Sequence, residues 1–262
     1  MRRLLLTVCF FAQIFIVSAQ TWETGVSVGA SGYMGDINPV KPYSFTDIAY
    51  GVQVKRNFNG YWAAKLGFLQ GKIRGDDAKS SNAYQNDRNL NFRSAVSELS
   101  LQVELNLFNY LPGDLPGFGS RRLSPFIFAG VGAVGFNPVS DYNGSEVELQ
   151  PVQTEAVEYK KYAVSVPYGA GIKYNIKGNW NLIADIGYRT AFTDYLDDIS
   201  GRYPDFTVTP PASTLSPILS DRSITQSGTA GTQRGDFRKR DTYMFSTVSI
   251  TYTFVSLKCP TF

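Results

Sequence analysis

The 262-residue chain is predicted to be all-β, an eight-stranded antiparallel transmembrane barrel with up-and-down connections. Three observations predict this fold. Apolar and polar residues alternate over stretches of about ten, the period of a strand whose two faces meet unlike surroundings. The links between these stretches alternate between tight turns and long polar segments, which puts short turns on one rim of a barrel and long loops on the other. Beyond the first residues, no apolar run approaches the eighteen or so that a membrane helix needs.

Residues 1–19 read as a secretory signal peptide. Arg2 and Arg3 form its charged start, residues 4–17 its apolar run, and Val17-Ser18-Ala19 a small-residue site before Gln20. A lipoprotein reading of Cys9 is disfavoured, because bulky Val8 stands where a small residue is needed. Residues 20–254 are then the outer-membrane β-barrel and residues 255–262 a periplasmic C-terminal tail.

The first strand, residues 22–33, sets Trp22, Thr24, Val26, Val28 and Ala30 against Glu23, Gly25, Ser27, Gly29 and Ser31. In the second, residues 47–58, Ile48, Tyr50, Val52, Val54 and Phe58 oppose Gln53, Lys55 and Asn57. An Asn59-Gly60 turn leads to the third, residues 61–72, with Trp62, Ala64, Leu66 and Phe68 against Lys65 and Gly67. The fourth, residues 92–108, is the clearest: Leu99, Leu101, Val103, Leu105 and Leu107 alternate with Glu98, Ser100, Gln102, Glu104 and Asn106. The fifth, residues 125–136, is apolar on both faces and gives no orientation. In the sixth, residues 162–176, Val164, Val166, Tyr168, Ile172 and Tyr174 oppose Ser165, Gly169, Lys173 and Asn175. Lys177-Gly178-Asn179 turns into the seventh, residues 180–192, where Trp180, Leu182, Ile186 and Tyr188 face away from Asn181, Asp185 and Arg189. The last, residues 242–254, alternates Met244, Val248, Ile250, Tyr252 and Phe254 with Thr247, Ser249, Thr251 and Thr253.

One such strand alone does not say whether grease points in or out, and a lipocalin-like soluble binder with inward apolar rows stays open at this point. An even number of meandering strands, each long enough for a tilted span, favours closure in lipid, where every backbone polar group must find a partner. The opposite rows then enclose Lys55, Lys65, Glu98, Glu104, Lys173, Asp185 and Arg189. Four bases meet three acids, so a plugged interior threaded by salt bridges is expected rather than a wide channel or a proton path.

Composition excludes much chemistry. Histidine is absent, which removes the usual general base of serine and cysteine hydrolases and the usual zinc ligand. No catalytic residue, cofactor or metal is expected, and an outer-membrane hydrolase or acyltransferase is the weakest reading. The formal charge of +3 falls to about +1 without Arg2 and Arg3, so nothing points to nucleic acid. After cleavage one cysteine remains, Cys259, a candidate for an intermolecular disulfide.

Four phrases go beyond a generic OmpA-like barrel: GASGYMGDINP at 29–39, DRNLNFRSAVSELSLQVELNLF at 87–108, VPYGAGIKYNI at 166–176 and IGYRTAFTDYLDDISGRY at 186–203. Together they resemble the PorG-like family of small outer-membrane barrels, components of the type IX secretion system. The resemblance implies a non-enzymatic barrel among outer-membrane lipids that associates with the periplasmic ring, a lipoprotein and its partner protein, and anchors it. The alternative is a small porin or adhesin acting through its external loops. Among smaller signals, Asp194, Asp197 and Asp198 offer oxygen ligands for calcium. They lack the ligand spacing and central glycine of an EF-hand, so a solvated loop or pairing with Arg202 is the expectation. Arg234-Gly235-Asp236 spells an adhesion tripeptide, a three-letter match of the kind that arises by chance, and Arg238, Lys239 and Arg240 suggest a basic extracellular rim meeting acidic lipid headgroups; the Ser/Thr/Pro-rich residues 208–232 read as a disordered segment.

Overall fold

The structure is a computed structural model that describes residues 21–38, 44–113 and 119–255. The signal peptide and Cys259 lie outside them. Eight strands form the barrel wall: β1 (Thr21–Met34), β2 (Phe45–Asn57), β3 (Trp62–Asp76), β4 (Asn91–Asn106), β5 (Leu123–Tyr142), β7 (Tyr162–Lys177), β8 (Trp180–Ala191) and β9 (Thr242–Phe254). Each pairs antiparallel with its neighbour, and β1 pairs with β9 from Trp22↔Phe254 to Met34↔Thr242. That last ladder closes the sheet, so no wall strand is left as an edge.

The eight wall strands stand where the sequence places them, but β3 and β5 run well past their expected upper ends. β3 continues to Asp76 and β5 to Tyr142. β6 (Ser145–Glu148) was missed; it folds back on the top of β5 through Asn143-Gly144, whose φ values of 50° and 77° suit a tight hairpin turn. Two short helices, α1 (Ala83–Arg88) and α2 (Ser216–Ser220), lie in the long links after β3 and β8. Asn82 caps α1 by accepting from the Tyr84 N–H, and Asn89 ends it with φ 55°.

Parity decides orientation. Val26, Ile48, Val52, Leu101, Val131, Val164, Ile186 and Ile250 all point out of the wall and are exposed, while the alternate positions are buried or half-buried. β5, unreadable from sequence, turns Phe126, Phe128, Val134 and Phe136 inward and Ile127 and Val131 outward. A continuous exposed apolar belt of this extent has hydrocarbon, not water, as its solvent. All three tryptophans stand on the short-turn rim: Trp22 beside Phe254, Trp180 beside Tyr252, Trp62 beside Leu105. Arg56 lies over Trp22 at 5.0 Å and Arg121 over Phe108 at 4.4 Å; on the other rim Lys160 lies over Tyr162 and Arg240 over Phe192. Aromatic rings backed by cations on both rims are what the headgroup zones select.

The strands outrun the belt on the long-loop side. There Ile73, Phe92, Val96, Phe136 and Phe245 from the wall meet Leu149, Val152, Leu196, Ile199 and Leu219 from the loops in one apolar cluster. The molecule therefore has two storeys: a lipid-embedded barrel with a polar filling, and an external dome with an ordinary hydrophobic core. Residues 208–232 belong to that dome, since Leu215 and Leu219 pack into its core. The disorder expected there is corrected by these apolar anchors within a polar composition.

Candidate functional site

All seven charged residues picked out by strand alternation line the barrel interior. Nearest the short-turn end, Glu104 of β4 lies 2.6 Å from Lys173 of β7, 3.0 Å from Lys55 of β2 and 3.5 Å from Lys65 of β3. Lys173 and Lys65 also rest over the rings of Phe126 and Phe128, at 4.6 and 5.0 Å. Halfway up, Arg189 of β8 lies 3.4 Å from Glu98 of β4, which also accepts the Tyr243 hydroxyl at 2.6 Å. Asp185 accepts from Thr247 at 3.1 Å.

Sequence reasoning left out one member. Glu23 of β1 is buried 4.0 Å from Lys55 and accepts from Asn57 at 3.1 Å and from Thr251. Its place on the inward row was visible; its partners, 30 and more residues away, were not. With Glu23, four buried acids meet four buried bases in the wall strands. Below them Tyr110, from the β4–β5 turn, donates to Asn181 at 2.8 Å and plugs the short-turn end. The void among Ser27, Gln53, Lys65, Asp185 and Arg189 is about 20 Å³, room for about one water.

The dome carries a second buried ionic group, and its balance is different. Among the described residues, Asp36, Asp77, Glu155, Asp197, Asp198 and Asp241 are buried there with only two bases, Arg88 and Arg234, and Asp194 is half-buried beside them. Arg88 of α1 reaches Asp77 at 2.7 Å, and Arg234 reaches Glu155 at 2.8 Å. Thr154 and Tyr159 donate to Asp198, Tyr33 donates to Asp197, and Asp241 accepts from the Leu196 N–H at 3.0 Å. Burial raises these carboxyls. It pushes Asp36 up to about 7 with help from Asp236 and Asp194, against a bond from the Asp236 N–H. Burial takes Asp194 to about 6, with Asp236 and Glu155 adding to it against a bond from Ser200. Asp198 also rises to about 6 by burial, although Arg234 pulls it down. Asp197 is raised by burial first and then by Asp241 and Asp36, and Asp241 by burial first and then by Asp36 and Asp194.

These positions correct both expectations for the acidic run. Asp197 and Asp198 are not solvated, and Arg202 does not pair with them: it donates to the Gly231 carbonyl at 2.6 Å and lies over Phe237. Arg234 is buried, so the adhesion tripeptide is not displayed. Arg238, Lys239 and Arg240 are exposed at the rim.

The family described as Domain of unknown function (DUF6089) matches residues 2–208, well over half of the sequence. The chain belongs to the DUF6089 family. No curated protein matches it in sequence. Among solved structures, this DUF6089 barrel is similar to Ail, the attachment invasion locus protein of Yersinia pestis solved with the heparin analogue sucrose octasulfate (11% identity, TM-score 0.39, covering 90% of this chain and 97% of that one). It is also similar to the N-terminal β-barrel domain of Pseudomonas aeruginosa OprF (10%, TM-score 0.38, 90% and 98%) and to Neisserial surface protein A (8%, TM-score 0.40, 90% and 98%).

Proposed function

We propose that this protein is a non-enzymatic outer-membrane component of the type IX secretion system, a barrel that associates with the periplasmic ring and anchors it to the membrane. The observation that carries the structural role is the filled interior. Eight buried charges, seven of them in salt bridges, and a void of about 20 Å³ among the described residues fill the barrel, so its use lies in its surfaces. The missing histidine supports a role without hydrolytic chemistry. The four family-like phrases support the secretion assignment; the ring lipoprotein and its partner are the expected contacts on the short-turn side. Cys259, which the sequence reading assigns to a periplasmic tail, is a candidate for a covalent link to one of them.

The ordered dome favours a second reading, an adhesin-like barrel that acts through its external loops. Crosslinking of a tagged full chain in native outer membranes, followed by pull-down, separates the two. Recovery of the ring lipoprotein and its partner is expected, and replacing Cys259 with Ser should remove any adduct seen on a non-reducing gel. A preparation free of secretion components would overturn the anchoring role, and conductance in planar bilayers would overturn the plugged interior.

A further inference from the structure

The dome's acids outnumber its bases, and the two arginines are already engaged. Arg88 is held by Asp77, and Arg234 by Glu155. Among the described residues no salt bridge reaches Asp36, Asp194 or Asp241, which come from the link after β1, the loop after β8 and the residue before β9. One carboxylate oxygen from each lies within 4.8 Å of the others.

An independent observation points to a ligand. Asp36 is only 2% exposed, yet its Oδ2 has no hydrogen-bond partner, and neither has Oδ1 of Asp194. A buried carboxylate oxygen left without donor or cation is costly, and a shared positive ion would satisfy it. We propose that Asp36, Asp194 and Asp241 bind a calcium ion that staples the β1–β2 link to both ends of the β8–β9 link over the external mouth of the barrel.

The chemistry selects the ion. The donors are all oxygen, with no nitrogen or sulfur among them, which suits a hard cation. Calcium takes its oxygens at about 2.3 to 2.6 Å in a flexible shell, whereas magnesium demands a near-ideal octahedron at about 2.0 to 2.1 Å, so carboxylates drawn from separate segments suit calcium better. Glycines keep the place open: a Cβ on Gly35 would fall 2.3 Å from Asp241 Oδ1, and one on Gly235 would fall 2.7 Å from Asp36 Oδ1. The site sits on the long-loop side, where external calcium is met directly.

The test uses the full chain refolded in detergent and stripped with EDTA. Calcium chloride is titrated calorimetrically, and thermal unfolding is followed with and without it. One ion per chain is expected, with a dissociation constant at or below about 1 mM and a higher unfolding midpoint. Asp194→Asn, at a half-buried position that tolerates an amide, should weaken binding at least about tenfold, while Asp205→Asn in an exposed loop should not change it. Heat-modifiable gel migration verifies that each variant is folded. The proposal is overturned if the parent takes up no calcium at about 10 mM, if Asp194→Asn and Asp241→Asn both bind like the parent, or if magnesium binds more tightly than calcium.

Discussion

Replacing Glu104 with Gln keeps the shape of the side chain and removes the charge at which three buried lysines meet. Their ammonium nitrogens stand 2.6, 3.0 and 3.5 Å from its carboxylate, and every group is nearly inaccessible to water. At an effective dielectric constant of about 20, one such contact is worth about 5 kcal/mol of gross attraction. Desolvation and repulsion among the lysines offset most of it. Removing one member of a buried pair typically costs about 3 to 5 kcal/mol, because the remaining charge stays buried. Only Glu23, 4.0 Å from Lys55, would remain to answer three cations, so a loss of about 4 kcal/mol or more is expected. Urea unfolding of the refolded barrel, read from the fluorescence of Trp22, Trp62 and Trp180, measures it. Adding Lys173→Met to Glu104→Gln should recover about 2 kcal/mol, since one orphaned cation then disappears. A loss under about 1 kcal/mol, or no recovery in the double variant, would refute the claim that Glu104 is the anion holding the lower barrel together.

Two further predictions use other parts of the molecule. Tyr243→Phe removes a 2.6 Å hydrogen bond to the buried Glu98 carboxylate and should cost about 1.5 to 3 kcal/mol in the same unfolding assay. In EDTA, wild type compared with Asp198→Asn should lose stability as pH rises from about 4 to 6 and then level off. The Asp198 carboxyl is raised from 3.8 to about 6 in the fold, so between those values the folded chain holds a proton that the unfolded chain has released. That amounts to about 3 kcal/mol, and a wild type that gains stability over this range would contradict it.

The lower storey was readable because each face of a membrane strand meets one environment. In β4 the Leu99–Leu101–Val103 row meets lipid and the Glu98–Ser100–Gln102–Glu104 row meets other polar groups, so the period of two survives intact. The upper storey was not, because both sides of a strand are covered there. At the top of β5, Pro138, Val139 and Ser140 are consecutively buried, and alternation disappears. The dome's acids were illegible for another reason: Asp194 and Asp241 meet through the pairing of β8 with β9 and Asp36 joins them only through barrel closure, while Asp36 and Asp241 read in sequence as ordinary strand-end residues. Residues 194–198 gave a partial signal, an acidic run beside a predicted strand end, but nothing local revealed that the chain there is buried.

The central claim is the direction of the two rows of every wall strand. Spin labels at Leu101 and Ile186, and separately at Ser27 and Ser100, in the barrel reconstituted into lipid vesicles, test it through collision with oxygen and with a water-soluble nickel complex. The account predicts strong oxygen and weak nickel relaxation at Leu101 and Ile186, and little of either at Ser27 and Ser100. Nickel contact at Leu101 or Ile186, or lipid-like oxygen contact at Ser27 or Ser100, would contradict it.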